Sequence, residues 1–294
     1  MKSGFVSIIG RPNTGKSTLL NTILGNHIAI VSNVAGTTRN TIQGVYNDDN
    51  TQIVFIDTPG IHKPKDKLGK YLNRQSYGSL SDIDVVLFVV DASAPLGKGD
   101  KFIIETLKNV TCPVILVLNK IDKLKDEGII KAISEYKDLY DFAEIVPISA
   151  MKNDNITRLL NVIKKYLTDE VVYYDDGTIT NTSVYFMVSE LVREKILNLT
   201  NEEVPHSITC ATTHYKDNGN IVDMYVDIII DRDSLKKIII GKQGSMLKNI
   251  GSLARRDIES LLGKQVYLEL FVKTIKNWRD KERYLQELGF KEQE

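Results

Sequence analysis

The chain has 294 residues, of which 42% are hydrophobic and 26% charged, with 38 basic and 38 acidic side chains. That length fits about two domains, the composition is ordinary for a globular protein, and the absence of any run of about 18 apolar residues excludes a transmembrane helix. The zero net charge hides an asymmetry: residues 232–283 hold 13 Lys/Arg against 6 Asp/Glu, which points to an anionic partner, RNA or a membrane surface, or to a solvated basic face. Met1-Lys2-Ser3-Gly4 runs straight into a strand pattern, so no signal peptide is expected. Cys112 and Cys210 stand far apart in apolar stretches and read as buried free thiols, in keeping with a reducing cytosol.

Taken in chain order, apolar strand-length runs alternate with helix-period stretches up to about residue 167. Strands are predicted at 5–9, 42–46, 53–57, 85–91, 114–119 and 145–148, and helices near 16–24, 69–80, 101–108, 127–139 and 156–166. Continuous Val/Ile/Leu strands alternating with helices predict a doubly wound α/β domain over 1–168, its sheet parallel and covered on both faces. Residues 169–183 lose the periodicity and read as a linker. After it come a helix at 184–199, strands at 208–214 and 221–230 joined by an Asp217-Asn218-Gly219-Asn220 hairpin turn, a helix, a Gly-rich turn, a helix, a strand at 266–273 and a last helix at 277–288. That order predicts an α+β domain over 184–294.

Four motifs fall in the loops after strands of the first domain. Gly10-Arg11-Pro12-Asn13-Thr14-Gly15-Lys16-Ser17 fits the phosphate-binding loop, strand before and helix after. Its glycines let successive N–H groups point at phosphates, and the helix N-terminus adds a favourable dipole. Lys16 is the candidate for the β- and γ-phosphates, the Ser17 hydroxyl for Mg²⁺ and Thr18 for the α-phosphate. Asp57-Thr58-Pro59-Gly60 ends another strand, where Asp57 holds a Mg²⁺-bound water and the Gly60 N–H can approach the γ-phosphate. Thr38, between the phosphate loop and the second strand, is the candidate third Mg²⁺ hydroxyl, with a turn threonine as the alternative.

Asn119-Lys120-Ile121-Asp122 decides the base. A carboxylate at Asp122 accepts from both N1–H and N2–H₂ of guanine, a donor pair that adenine lacks, which argues against an ATPase or small-molecule kinase; losing such a contact costs roughly 2–4 kcal/mol. Asn119 and Lys120 brace the loop and flank the ring, and Ser149-Ala150-Met151 offers a backbone N–H to guanine O6. The expected catalytic set is Lys16, Thr38, Gly60 and Asn13, with a side-chain oxygen of Asn13 as a holder of K⁺ or, alternatively, a local turn bond. Ile61 stands where Ras-type GTPases place the glutamine that orients water, so slow intrinsic hydrolysis is expected.

In the second domain, Gly241-Lys242-Gln243-Gly244 has the form of the turn that clamps single-stranded RNA between two helices, with Lys242 at its tip. Lys248, Arg255 and Arg256 on the next helix are the further RNA-binding candidates. The bland alternative is a plain helix connection. Trp278 is spaced with Leu285 and Leu288 as a core residue, with a base-stacking platform as the other reading.

Gly-Arg-Pro-Asn-x-Gly-Lys-Ser-Thr, Thr37-Thr38-Arg39, Asp57-Thr58-Pro59-Gly60-Ile61-His62 and the Gly-x-x-Gly turn together resemble the Era family of bacterial GTPases over essentially the full length. The resemblance implies a P-loop GTPase domain followed by a type II KH domain, with GTP/GDP and Mg²⁺ as ligands. It implies binding to the 3′ end of 16S ribosomal RNA and a part in assembly of the 30S subunit from its precursor. It further implies a cytoplasmic protein loosely associated with the inner membrane face; a monomer with no DNA partner is expected. Thr14 replaces the valine common in that family, at a position that offers mainly its backbone.

Overall fold

The computed structural model describes residues 1–34, 36–61, 66–80, 82–288 and 290. In the first half, β1 (Lys2–Ile9), β2 (Ile42–Asp48), β3 (Thr51–Asp57), β4 (Val85–Asp91), β5 (Val114–Asn119) and β6 (Glu144–Pro147) form one sheet in the order β2-β3-β1-β4-β5-β6. α1 (Lys16–Leu24), α2 (Lys67–Gly78), α3 (Lys98–Leu107), α4 (Asp126–Tyr136) and α5 (Ile156–Ile163) connect the strands. All neighbouring pairs are parallel except β2 with β3, which is antiparallel. The parallel sheet expected from the sequence thus carries one antiparallel strand, at its edge. Only Asp49 and Asn50 separate β2 from β3, and a two-residue connection can join only antiparallel strands. Chain order reverses around β1, so the loop after it opens at the sheet's switch point, where ligands of such folds bind.

Residues 168–183 are not a free tether. The Ser3 amide donates to the Asp169 carbonyl (2.8 Å) and the Val45 amide to the Ile179 carbonyl (2.8 Å). Gln52, fully buried, accepts from the amides of Tyr173 and Tyr174 at 2.7 and 3.0 Å. Near Ile179 and Thr180 the segment bridges to β2, and backbone amides together with the Gln52 side chain do the fastening, which hydrophobic periodicity cannot reveal.

The second half has the order α6 (Val184–Leu199), α7 (Val204–Ser207), β7 (Ile208–Asp217), β8 (Ile221–Ile230), α8 (Lys236–Ile240), α9 (Ser245–Leu262), β9 (Gln265–Thr274) and α10 (Glu282–Glu287). β8 pairs antiparallel with β7 and parallel with β9. Every second residue of β8, Val222 to Ile230, faces a core shared with Val188, Val192 and Ile196 of α6 and Ile250, Ala254 and Ile258 of α9. The helix expected over 277–288 is broken: Asn277 sits at φ 54°, a short turn holds Trp278–Asp280, and α10 starts only at Glu282. Trp278 is fully buried, its Nε1–H donates to the Ser207 carbonyl, and Phe290 stacks on it at 6.3 Å. It is core and is closed to a base.

Two compact units emerge, and they do not divide at one point. The first holds Met1–Ala29, Thr38–Pro64 and Leu72–Asn181; the second holds Ile30–Thr37, Lys65–Tyr71 and Thr182–Glu294. Within the second unit Ile30 joins the core. Arg193, without solvent exposure, forks onto Glu190 and donates from Nη2 to the Thr37 carbonyl. Among the described residues, no helix is long and apolar enough to cross a membrane.

Candidate functional site

The phosphate loop leaves β1 at Gly10 and enters α1 at Lys16. Gly10, Gly15 and Gly60 are glycines for steric reasons. A Cβ on Gly10 would lie 2.2 Å from the Val89 carbonyl oxygen, one on Gly15, at φ 95°, 2.2 Å from Asn119 Nδ2, and one on Gly60 2.7 Å from the Pro12 nitrogen. The Gly60 contact means that the loop after β3 touches the phosphate loop directly. Lys16 is buried, and its ammonium donates to the carbonyls of Gly10 (3.3 Å) and Arg11 (2.9 Å). Burial pulls its pKa down to about 8, against the opposing charge of Asp57.

Ser17, Thr38 and Asp57 come together although they lie on three separate segments. Ser17 Oγ is 2.7 Å from Asp57 Oδ2 and 2.9 Å from Thr38 Oγ1. Asp57 is fully buried, and its Oδ1 has no hydrogen-bond partner. Burial raises the carboxyl to about 6, with Lys16 and Ser17 acting the other way. An orphaned buried carboxylate oxygen beside two hydroxyls is a donor set made for a hard cation. This is the set predicted for Mg²⁺.

The base-reading loop is braced from behind. Asn119, buried, donates to the Thr14 carbonyl at 2.8 Å and accepts from the amides of Lys120 and Ala150 at 2.8 and 3.0 Å. The Ala150 N–H expected to meet the base oxygen is therefore engaged with Asn119, and a base would have to share it. Lys120, at φ 68°, reaches the Asn13 carbonyl (2.6 Å) and Asp91 (2.7 Å). Ser149 Oγ donates to Asp122 Oδ1 at 2.6 Å, which holds the carboxylate in one orientation. Thr22 of α1 donates to the Ala150 carbonyl at 2.9 Å. Thr58 faces inward to the Ile8 carbonyl, Ile121 is buried, and Met151 is exposed. Thr18 offers its carbonyl to Thr22, and the Pro59 carbonyl accepts from Ser76.

Two residues of the predicted site belong to it through their backbone. Arg11 turns its guanidinium away from the loop cavity onto Asp100, Nε to Oδ1 at 2.7 Å, so only its backbone belongs to the phosphate loop. Ile61 is 1% exposed and packs in the core with Val86, Phe88 and Ile103. It contributes its amide, bound to the Gly10 carbonyl at 3.3 Å, and no side chain at the site. Asp91 and Asp100 were missed by the sequence reading. Asp91 ends β4 on the ligand side of the sheet, and that position was the available signal; Asp100 had none. His62 lies outside the described residues.

In the second unit, α8 ends at Gly241 (φ 73°), Gln243 and Gly244 are also left-handed at φ 51° and 78°, and α9 begins at Ser245. The two glycines differ. A Cβ on Gly241 would meet Met246 at 2.7 Å, whereas one on Gly244 meets nothing within 4 Å. Gly241 makes the turn, and Gly244 keeps a surface clear. Beside it a groove of about 610 Å³ runs between α9, through Leu247, Lys248 and Arg255, and the edge strand β9, through Tyr267 and Leu268. Lys242 and Lys248 are exposed, and Arg255 lies 3.9 Å from Glu259. Arg256, one helical step on, is exposed as well.

Comparison with known proteins adds the following. A family model described as a 50S ribosome-binding GTPase matches residues 5–120, and one described as a KH domain matches 203–279. The crystal structure of a single-substitution variant of Aquifex aeolicus Era bound to GDP·AlF4⁻ is similar at a TM-score of 0.94 and 41% identity, covering 99% of each chain. The crystal structure of Era in complex with MgGDPNP and nucleotides 1506–1542 of 16S ribosomal RNA is similar at a TM-score of 0.94 and 42% identity, again over 99% of each chain.

Proposed function

Because the chain belongs to the Era family of GTPases, we propose that it binds and hydrolyses GTP with Mg²⁺ and holds the 3′-end region of 16S ribosomal RNA during small-subunit (30S) assembly. The observation that carries the nucleotide half is the meeting of Ser17, Thr38 and the orphaned Asp57 oxygen beside a loop whose Lys16 is buried and charged. Relatives crystallised with GDP·AlF4⁻, with MgGDPNP and with nucleotides 1506–1542 of 16S RNA support the choice of ligands. The model matched by the G half bears the large subunit in its description; the small-subunit partner rests on the KH half and the RNA-bound relative.

Mg²⁺, when bound, would neutralise charge that builds on the phosphates. Ser17 and Thr38 hold it by their hydroxyls and Asp57 through a water. Lys16 keeps its two N–H bonds to the loop carbonyls and has a third N–H to give a phosphate oxygen, so little rearrangement is needed. Asp122, fixed by Ser149, reads N1–H and N2–H₂ of guanine. With Ile61 turned into the core, position 61 offers no side chain to orient the attacking water; intrinsic turnover is slow, and Asn13 with K⁺ supplies a positive field. The working division is a G domain over 1–168, a connecting segment over 169–183 and a KH domain over 184–294. Single-stranded RNA lies along the α9–β9 groove, its backbone against Gly244 and Lys242 and its bases toward the unpaired edge of β9. The protein acts as a cytoplasmic monomer with peripheral attachment to the membrane's inner face.

The test is crosslinking of the protein to RNA in cells followed by sequencing, with GTPase assays run with and without the recovered RNA in K⁺ and in Na⁺. A footprint at the 16S 3′ end and faster hydrolysis with RNA are expected. Recovery of no RNA removes the KH half of the reading, and equal rates in both salts remove the K⁺ role.

A further inference from the structure

Arg11 lies in the phosphate loop, yet its side chain is committed elsewhere. Asp100, the third residue of α3, has no solvent exposure. Its two oxygens are divided between the Gly97 amide (2.9 Å) and Arg11 Nε (2.7 Å). The turn that starts α3 is Gly97-Lys98-Gly99, and its bareness is what admits the arginine. A Cβ on Gly99 would lie 2.6 Å from Arg11 Cδ, and one on Gly97 2.9 Å from Arg11 Nη1. Behind the carboxylate stands Tyr136 at the end of α4, 1% exposed. Burial, then the negative charge of Asp100, push the Tyr136 hydroxyl well above the ordinary tyrosine range. A slot flanked by two glycines, a buried carboxylate and a phenol kept neutral make a receptor for one guanidinium.

The other end of Arg11 explains what the receptor is for. Its carbonyl accepts from Lys16 Nζ (2.9 Å) and from Thr14 Oγ1 (3.1 Å). The neighbouring Gly10 carbonyl accepts from Lys16 as well, at 3.3 Å. Where the Arg11 backbone sits therefore sets where the buried ammonium sits. We propose that Arg11 is a positioning residue for the phosphate loop: anchored in the Gly97–Gly99 slot on Asp100, its side chain fixes the carbonyls that hold Lys16 at the height of the β-phosphate. The guanidinium itself touches no phosphate. The inference rests on the nucleotide reading above and adds to it a support reaching from α3 to the loop.

The experiment measures affinity for GTP, GDP and GMP, together with thermal midpoint, in Arg11→Ala, Asp100→Asn, the double variant and Arg11→Lys. The loop wraps a β-phosphate that GMP lacks. Arg11→Ala and Asp100→Asn are each expected to weaken GTP and GDP by about tenfold while leaving GMP at the wild-type value, since a misplaced loop costs only the groups it contacts. The double variant should be no weaker than the worse single, because both remove one device, and Arg11→Lys should recover part of the loss. If Asp100→Asn keeps wild-type GDP affinity while Arg11→Ala loses it, the guanidinium acts on phosphate directly and the proposal is wrong. A parallel fall for all three nucleotides that tracks the thermal midpoint makes the pair merely structural and also overturns it. A wild type that binds neither GDP nor GTP overturns the nucleotide reading beneath it as well; a binding wild type with unaffected variants overturns this proposal alone.

Discussion

Asn119 donates from Nδ2 to the Thr14 carbonyl at 2.8 Å, and so ties the loop that reads the base to the loop that wraps the phosphates. Its other side-chain atom accepts from the Lys120 and Ala150 amides. One buried amide thus holds three loops in register. Asn119→Ala leaves buried partners without a bond at about 1–3 kcal/mol each. Affinity for GTP and GDP should fall together by about 10- to 100-fold, with a lower thermal midpoint. Titration calorimetry checks it; an affinity within twofold of wild type would mean that the bridge has no energetic weight.

Asp122→Asn should move preference from GTP toward xanthosine triphosphate, because an amide can donate to the xanthine 2-oxo group. Ser149→Ala should keep guanine selectivity and weaken binding by about 0.5–1.5 kcal/mol, the net worth of one orienting hydrogen bond. Competition among GTP, ATP and xanthosine triphosphate reads both. If the wild type binds ATP as tightly as GTP, the base assignment fails.

Asp57 and Lys16 set a pH dependence with opposite signs. The Asp57 carboxyl is raised to about 6 by burial; its contribution to stability is present below the unfolded value near 3.8 and is lost as pH rises through about 6. Lys16 is lowered to about 8 by burial; its contribution is present above the unfolded value near 10.5 and is lost as pH falls through about 8. Around neutral pH the protein without nucleotide carries both penalties. Asp57→Asn should therefore match the wild type in thermal midpoint near pH 4 and exceed it above pH 6, while losing the extra stabilisation that Mg²⁺ gives to the GTP complex. A pH-independent difference between the two proteins would contradict this.

Gly241 and Gly244 should fail in different ways. Gly241→Ala drives a Cβ into Met246 at a left-handed φ of 73° and should lower stability by about 1–3 kcal/mol. Gly244→Asp has space for its Cβ but takes on a left-handed φ of 78°, so it should cost about 1–2 kcal/mol and still fold, with GTP affinity unchanged and RNA binding lost through a carboxylate facing phosphate. Lys242→Ala should reduce the salt slope of RNA binding by about 1. Filter binding over a salt series decides; retained RNA affinity in folded Gly244→Asp would make the turn a plain helix connection.

What was legible in the chain was whatever is contiguous. The phosphate loop, Asn119 to Asp122 and the Gly-x-x-Gly turn each carry their chemistry within a few residues of a strand or helix end, so spacing alone places them. The partnerships Arg11–Asp100, Lys120–Asp91 and Gln52–Tyr173 join residues far apart in number. No period or spacing marks them, since each depends on how two elements are stacked. The direction of β2 was within reach, because a two-residue loop admits only one answer.

Ile30 is 3% exposed in the core of the second unit, and the Arg193 guanidinium holds the Thr37 carbonyl there. Thr38, the next residue, belongs to the first unit and to the metal set. The two halves are therefore not interchangeable cassettes. A G half excised at residue 181 takes away a stretch whose apolar side chains are housed in the piece left behind. A KH half grafted onto another G domain arrives with an empty seat at Ile30 and a buried arginine missing one acceptor. Recombination between such proteins would have to carry residues 30–37 along with the far end of the chain, so that insertion, truncation and shuffling at this joint are all constrained by eight residues that precede it by about 150 positions.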